Sequence, residues 1–211
     1  MGIYIEVLIL YAVLFFSGST VLFLSGEPGF SAVTELARLL TYTIPSLALI
    51  WYLLLKARKL RDWGIKPNKK DLISCFITFP CLLITGFVIA AIAFKVSGSS
   101  AQSLSVVSTT RGWIILCVSC LISAYLEESF FRFYLLSRRE EMHLGQAGAL
   151  VLSVAMFSVC HIYEGPWGFL NSVLAGTILA FMFLRYNSLH GIAIAHGLYN
   201  IAVYVIYALL N

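Results

Sequence analysis

The chain has 211 residues, of which 60% are hydrophobic and 11% charged, with a formal net charge of +4. Soluble domains carry about 25% charged residues, so this composition excludes an ordinary soluble protein and implies a polytopic membrane protein. The positive balance is a topology signal and not a nucleic-acid footprint, because half of the 14 Lys and Arg sit between Lys56 and Lys70.

Seven apolar segments, each near the ~20 residues a spanning helix needs, can be drawn along the chain. They run Ile3–Leu24, Leu36–Leu55, Leu72–Val96, Gly112–Leu136, Ala147–Ile162, Trp167–Leu184 and Leu189–Leu210, and the fifth is short. The start, Met1-Gly2-Ile3-Tyr4-Ile5-Glu6, has no basic n-region, which predicts an uncleaved first span. Glu6 also stands where a myristoylation signal needs Ser or Thr. Ser25-Gly26-Glu27-Pro28-Gly29, Gly64 to Asn68, the polar run Ser97 to Ser108 and Gly165-Pro166 are turn signals between segments. The expected fold is an all-α transmembrane bundle of about seven spans, with no internal repeat and no separate soluble domain.

The basic loop (Lys56, Arg58, Lys59, Arg61, Lys66, Lys69, Lys70) is expected to stay cytoplasmic. The N-terminus would then be cytoplasmic and the C-terminus outside. Arg138, Arg139 and Arg185 fall in the other cytoplasmic connections; Glu27, Glu35, Arg38, Arg111 and Glu164 fall in outward loops. His143, His190 and the turn residues Arg138, Arg139, Glu140 and Glu141 read as solvated.

Within the fourth segment lies Tyr125-Leu126-Glu127-Glu128-Ser129-Phe130-Phe131-Arg132. A charge at a helix centre costs roughly 2.5–3.5 kcal/mol on insertion scales, so three unpaired ones would cost about 8–10 kcal/mol. Glu128 and Arg132, four residues apart, share a helix face and can pair. Glu127 is turned about 100° away and lacks that partner. Spacing therefore divides the two carboxylates into one structural and one chemical. His161 ends the fifth segment, and His196 and Asn200 share a face of the seventh. A hairpin of the fourth and fifth segments turning near Leu144-Gly145 would bring Glu127 and His161 to one level. His196 joins that level if the hairpin protrudes two to three turns, since it lies about 10 Å inside its own helix end.

A carboxylate beside an imidazole suits activation of water, with Glu as base and His holding the water or sharing its proton. A His/Asn pair one turn apart offers two donors to an oxyanion. Such a set suffices for amide hydrolysis without a covalent nucleophile. Cys160 beside His161 suggests a thiol enzyme, but consecutive helix residues diverge by about 100°. The five cysteines (Cys75, Cys81, Cys117, Cys120, Cys160) all lie in apolar runs, and Cys117-x-x-Cys120 reads as packing without disulfides.

Taken in order, Glu127-Glu128-x-x-x-Arg132, Phe157-x-x-x-His161 and His196-x-x-x-Asn200 resemble the CAAX protease and bacteriocin-processing family of intramembrane glutamic endopeptidases. The likeness covers roughly Ile115 to Ala208. It implies a catalytic core over 112–211 behind an N-terminal three-span region, 1–111. It further implies Glu127 as base with His161 as its partner, His196 and Asn200 as oxyanion donors, and Glu128 with Arg132 as the supporting pair. The expected substrate is a membrane-associated peptide or protein, of CAAX, leader, pheromone or bacteriocin type, approached from the cytoplasmic side. No cofactor is expected.

Three other readings use the same residues. A zinc enzyme would place Zn²⁺ between Glu127, His161 and His196, a valid three-ligand shell, although no His-Glu-x-x-His helix is present. A bacteriocin-immunity protein would need the shape and not the base. A proton-coupled transporter would need the membrane Glu and His but not the Asn200 donor.

Overall fold

The computed structural model describes residues 2–16, 30–56, 66–98, 104 and 106–210. The second half of the first predicted span, the Ser25–Gly29 turn cluster, much of the basic loop and part of the Ser97–Ser108 run lie outside the described residues.

All regular structure among the described residues is helical, in seven helices. These are α1 (Ile3–Phe16), α2 (Ala32–Lys56), α3 (Lys69–Ser97), α4 (Thr110–Ser137), α5 (Gln146–Val159), α6 (Gly165–Tyr186) and α7 (Leu189–Leu210). α2, α3, α4 and α7 are long and apolar enough to cross a membrane, as is α6 with the 3-10 turn Ile162–Glu164 before it; the described part of α1 and all of α5 are shorter. Large apolar side chains such as Phe76, Ile84, Phe87 and Phe94 on α3 stay exposed, as expected of a lipid-facing surface. The chain is a multi-pass membrane protein.

Local chemistry starts and stops these helices. Ser31 caps α2 at the Thr34 N–H, and Thr109 caps α4 at the Gly112 N–H. Asn68 and Asp71 form a reciprocal capping box at the start of α3, and Pro166 stands in the first turn of α6. α3 ends at Gly98 and α6 at Asn187, both left-handed, at φ 67° and 50°.

α7 packs against α3 and α4, α6 against α3 and α5, and α2 against α4. α4 forms the spine of the bundle. It becomes π-helical over Ser129–Tyr134, directly after Glu127 and Glu128. Every residue from 128 to 136 is buried, and Phe130, Phe131, Phe133 and Tyr134 anchor the main core. π-turns are uncommon and concentrate at functional sites.

The hairpin predicted between the fourth and fifth segments is present: α4 ends at Ser137, Gly145 caps α5, and turns fill the interval. Ser153 donates to the Phe131 carbonyl at 2.6 Å and fastens the two arms. The turn is less solvated than its charges suggest, because Arg138 pairs with Glu6 of α1 at 2.5 Å as well as with Glu141. Partial burial disfavours the Arg138 charge, but the hydrogen bonds it donates to Glu6 and Glu141 outweigh it and hold the guanidinium above its usual pKa.

Two further expectations need correction. Glu35 and Arg38 are not in an outward loop; they lie inside α2 and face α4. His190 is not simply solvated, since its Nδ1 hydrogen-bonds the Tyr125 hydroxyl at 3.1 Å. In each case a polar residue at or near the end of an apolar segment finds a partner on a neighbouring helix.

Candidate active site

The site begins with the pair that spacing predicts. Arg132 Nε lies 3.2 Å from Glu128 Oε2, and both side chains are fully buried. Arg132 also donates from Nη2 to the Gly176 carbonyl at 3.2 Å and lays its guanidinium 4.4 Å from the Phe157 ring centre. Gly176 is needed here, because a Cβ would sit 3.0 Å from Phe157 and 3.5 Å from Arg132 Nη2. The ion, its carboxylate, a carbonyl and an aromatic face together offset the cost of burying the charge.

His196 lies between the two carboxylates. Its Nδ1 is 2.9 Å from Glu128 Oε1, and its Nε2 is 3.8 Å from Glu127 Oε2. An ionised carboxylate only accepts, so Glu128 orients the ring by taking Nδ1–H and leaves Nε2 facing Glu127. The ring reaches this position because Gly197 lets α7 approach α4 closely. A Cβ on Gly197 would stand 2.8 Å from Leu121 Cδ2 and 3.0 Å from its Cα, a backbone atom that cannot step aside.

Glu127 differs from its neighbour. Its side chain is 21% exposed, while its Oε2 is buried and accepts no hydrogen bond from a described residue. One carboxylate of the adjacent pair is thus fully buried between two cationic partners, and the other is partly exposed.

His161 lies just beyond the end of α5. Its Nδ1–H donates to the Phe157 carbonyl at 2.8 Å, so Nε2 carries the lone pair. Its ring lies 4.5 Å from that of Phe157 at a tilt of 44°, and the Phe157 ring also meets His196 at 6.0 Å, Phe131 at 5.3 Å and Arg132. Phe157 is therefore the common wall of the site, linking both imidazoles and the buried cation. Asn200 is half-buried one turn beyond His196 on α7 and makes no hydrogen bond with a described residue.

Sequence reasoning missed the second ion pair beside this group. Arg38 binds Glu35 through Nε at 3.1 Å and Nη2 at 2.6 Å. The same Nη2 donates to Ser119 Oγ at 2.8 Å, and Ser119 in turn donates to Glu35. Two sequence signals pointed here. Glu35 and Arg38 are spaced for pairing, and Ser119, Ser123 and Glu127 repeat every fourth residue on one face of an apolar helix. Among the described residues, no three of His, Cys, Asp and Glu are grouped so as to hold a metal ion.

Residues 108–202 match the family model of the Type II CAAX prenyl endopeptidase Rce1-like proteins. The match includes Glu127, Glu128, Arg132, His161, His196 and Asn200, and excludes α1, α2, α3 and with them Arg38. It agrees with the resemblance carried by the motifs and supports assignment as a membrane-embedded protease of CAAX-endopeptidase type. No curated protein and no solved structure matches the chain.

Proposed function

We propose that the protein is a metal-independent intramembrane endopeptidase in which Glu127 activates the attacking water. The observation that carries this reading is the unequal environment of two adjacent carboxylates. Glu128 is fully buried and held at 3.2 Å from Arg132 and 2.9 Å from His196, while Glu127 is 21% exposed and 3.8 Å from His196. Enclosure suits a scaffold and access suits a base.

In this reading a water bound between Glu127 and the His161 Nε2 gives a proton to Glu127 as its oxygen bonds to the scissile carbonyl carbon. The carbonyl oxygen becomes an oxyanion held by His196 Nε2–H and the Asn200 amide. The C–N bond then breaks, and Glu127 returns its proton to the departing amine. His196 must be protonated on both nitrogens to donate through Nε2. With Glu127 and Glu128 ionised and Arg132 and His196 cationic, the four charges sum to zero, a balance suited to a low-dielectric setting.

Every step uses side chains alone. The substrate is a membrane-associated peptide or protein, and nucleic acid has no part in it. The basic loop supports a cytoplasmic N-terminus, an external C-terminus and substrate approach from the cytosol.

The test is cleavage of CAAX-type, leader and pheromone peptides by purified protein in lipid nanodiscs, comparing wild type with Glu127→Gln, with and without a strong chelator. The reading expects cleavage that the chelator leaves intact and Glu127→Gln removes. Cleavage abolished by the chelator would assign the chemistry to metal. Cleavage that survives in Glu127→Gln would remove Glu127 as the base.

A further inference from the structure

α1 lies outside the segment that matches the family, yet it reaches the end of α5, beside His161. Tyr11 of α1 donates its hydroxyl hydrogen to the Met156 carbonyl at 2.6 Å, and the Cys160 thiol donates to the same hydroxyl at 3.3 Å. One hydroxyl thus bridges residues 156 and 160. The residues that directly follow these two are Phe157 and His161, joined by the hydrogen bond from the imidazole to the Phe157 carbonyl at 2.8 Å.

Carbonyls in the last turn of a helix run short of partners within it. At the end of α5, Phe157 accepts from the His161 ring and Ser158 from the His161 backbone N–H at 3.0 Å. Met156 keeps only a long bond, 3.4 Å, from the Cys160 N–H, and Tyr11 supplies the short one. The tyrosine is itself held on several sides. Its ring stacks on Phe130 at 6.3 Å and 14°, and meets Phe16 edge-on at 5.2 Å. α1 turns π-helical over Ala12–Phe16, directly after Tyr11. In an α-helix a residue five places on points about 140° away, whereas the i→i+5 bonding of a π-turn brings Phe16 back beside Tyr11. Phe130 stands three residues after Glu127, in the π-helical part of α4. Tyr11 therefore ties the end of α5 to the helix that carries Glu127.

We infer that Tyr11 is a positioning residue for catalysis: it fixes the end of α5 so that the His161 imidazole is held at its working distance from Glu127. This rests on the endopeptidase reading above, in which His161 holds the attacking water. In this role Tyr11 acts through His161 and touches neither water nor substrate. Fastening α1 to the hairpin is a separate task that other residues already perform. Tyr4, two turns earlier on α1, donates to the Met142 carbonyl, and Glu6 pairs with Arg138. Those bonds lie at the turn end of the hairpin, away from the site residues. Tyr11 makes the same kind of bond at the His161 end.

The experiment compares Tyr11→Phe with Tyr4→Phe, since each removes one hydroxyl from α1 and keeps the ring. kcat and KM for Glu127-dependent peptide cleavage are measured in lipid nanodiscs, together with thermal unfolding. The two variants should unfold at similar temperatures. Tyr11→Phe should lower kcat about tenfold and leave KM unchanged, because even a 1 Å misplacement of a catalytic group can cost about 10²-fold. Tyr4→Phe should keep the wild-type kcat. In a His161→Ala background, the remaining cleavage should not fall further when Tyr11→Phe is added; where that background leaves no measurable cleavage, the two tyrosine variants decide. A wild-type kcat in Tyr11→Phe would overturn the inference, as would an equal loss in both tyrosine variants, which would make Tyr11 a second fastening like Tyr4. Loss of folded protein in Tyr11→Phe alone would also overturn it, by assigning the hydroxyl to stability. Glu127-dependent cleavage that ignores Tyr11→Phe sinks this inference and leaves the endopeptidase reading standing. Absence of Glu127-dependent cleavage of every peptide sinks both.

Discussion

Two intrahelical ion pairs flank Glu127, and they differ in how completely they are closed. Glu128–Arg132 has no exposed side-chain surface and recruits His196, Phe157 and a backbone carbonyl around it. Glu35–Arg38 is 18% and 26% exposed, and its arginine also donates to Ser119. The chemistry of the two pairs is the same, and the spacing nearly so. The contrast shows that burial, more than residue type, separates a pair at the centre of the bundle from one at its edge.

The largest expected effect comes from the residue between them. Glu127→Gln should lower peptide cleavage by about 10²–10⁴-fold, the contribution of a general base, while leaving the yield of folded protein unchanged. Loss of folded protein alongside activity would place Glu127 with the sealed pair instead.

Next in size is the sealed pair itself. Glu128→Leu or Arg132→Met each strands a buried partner and should cost about 3–5 kcal/mol in detergent unfolding. The two substitutions combined should be less damaging than their sum, since no charge is left behind. Strict additivity would mean that the two side chains are not energetically coupled. The double variant should still be inactive, because His196 loses the carboxylate that orients its ring.

Gly197→Ala tests how His196 is delivered. Its Cβ meets Leu121 side chain and backbone at 2.8–3.0 Å, so α7 must move away from α4. Overpacking of this kind costs about 1–3 kcal/mol, and cleavage should fall as His196 draws back from Glu127. A fully active, equally stable variant would show that the close crossing is not needed.

The smallest change is expected at the open pair. Glu35→Gln should shift unfolding by only about 0–1 kcal/mol, because a partly exposed pair contributes little. A loss as large as that of Glu128→Leu would erase the distinction between the two pairs.

Much of the bundle was legible in the sequence. Apolar segments of spanning length map onto the helices, and the short fifth segment is indeed a short helix, Gln146–Val159. The Glu128–Arg132 pair follows from helical spacing alone, since residues four apart share a face wherever the helix lies. The place of His196 did not follow from any spacing. Its position between Glu127 and Glu128 depends on where α7 crosses α4, and that crossing depends on which residues at the contact lack a Cβ. Glu35 and Arg38 were misplaced for a related reason. Hydropathy started the second span at Leu36, between these charges, because it cannot register the serine on another helix that makes them tolerable.

The amino-acid order by itself determined an all-helical membrane protein, the pairing of neighbours within each helix, and the set of polar residues that needed explaining. Tertiary structure alone decided which carboxylate is enclosed and which is partly exposed, and which arginine is sealed and which reaches the surface. The reason is physical: a helix sets distances between its own residues through its pitch, whereas distances between helices depend on how side chains of different sizes let two cylinders approach.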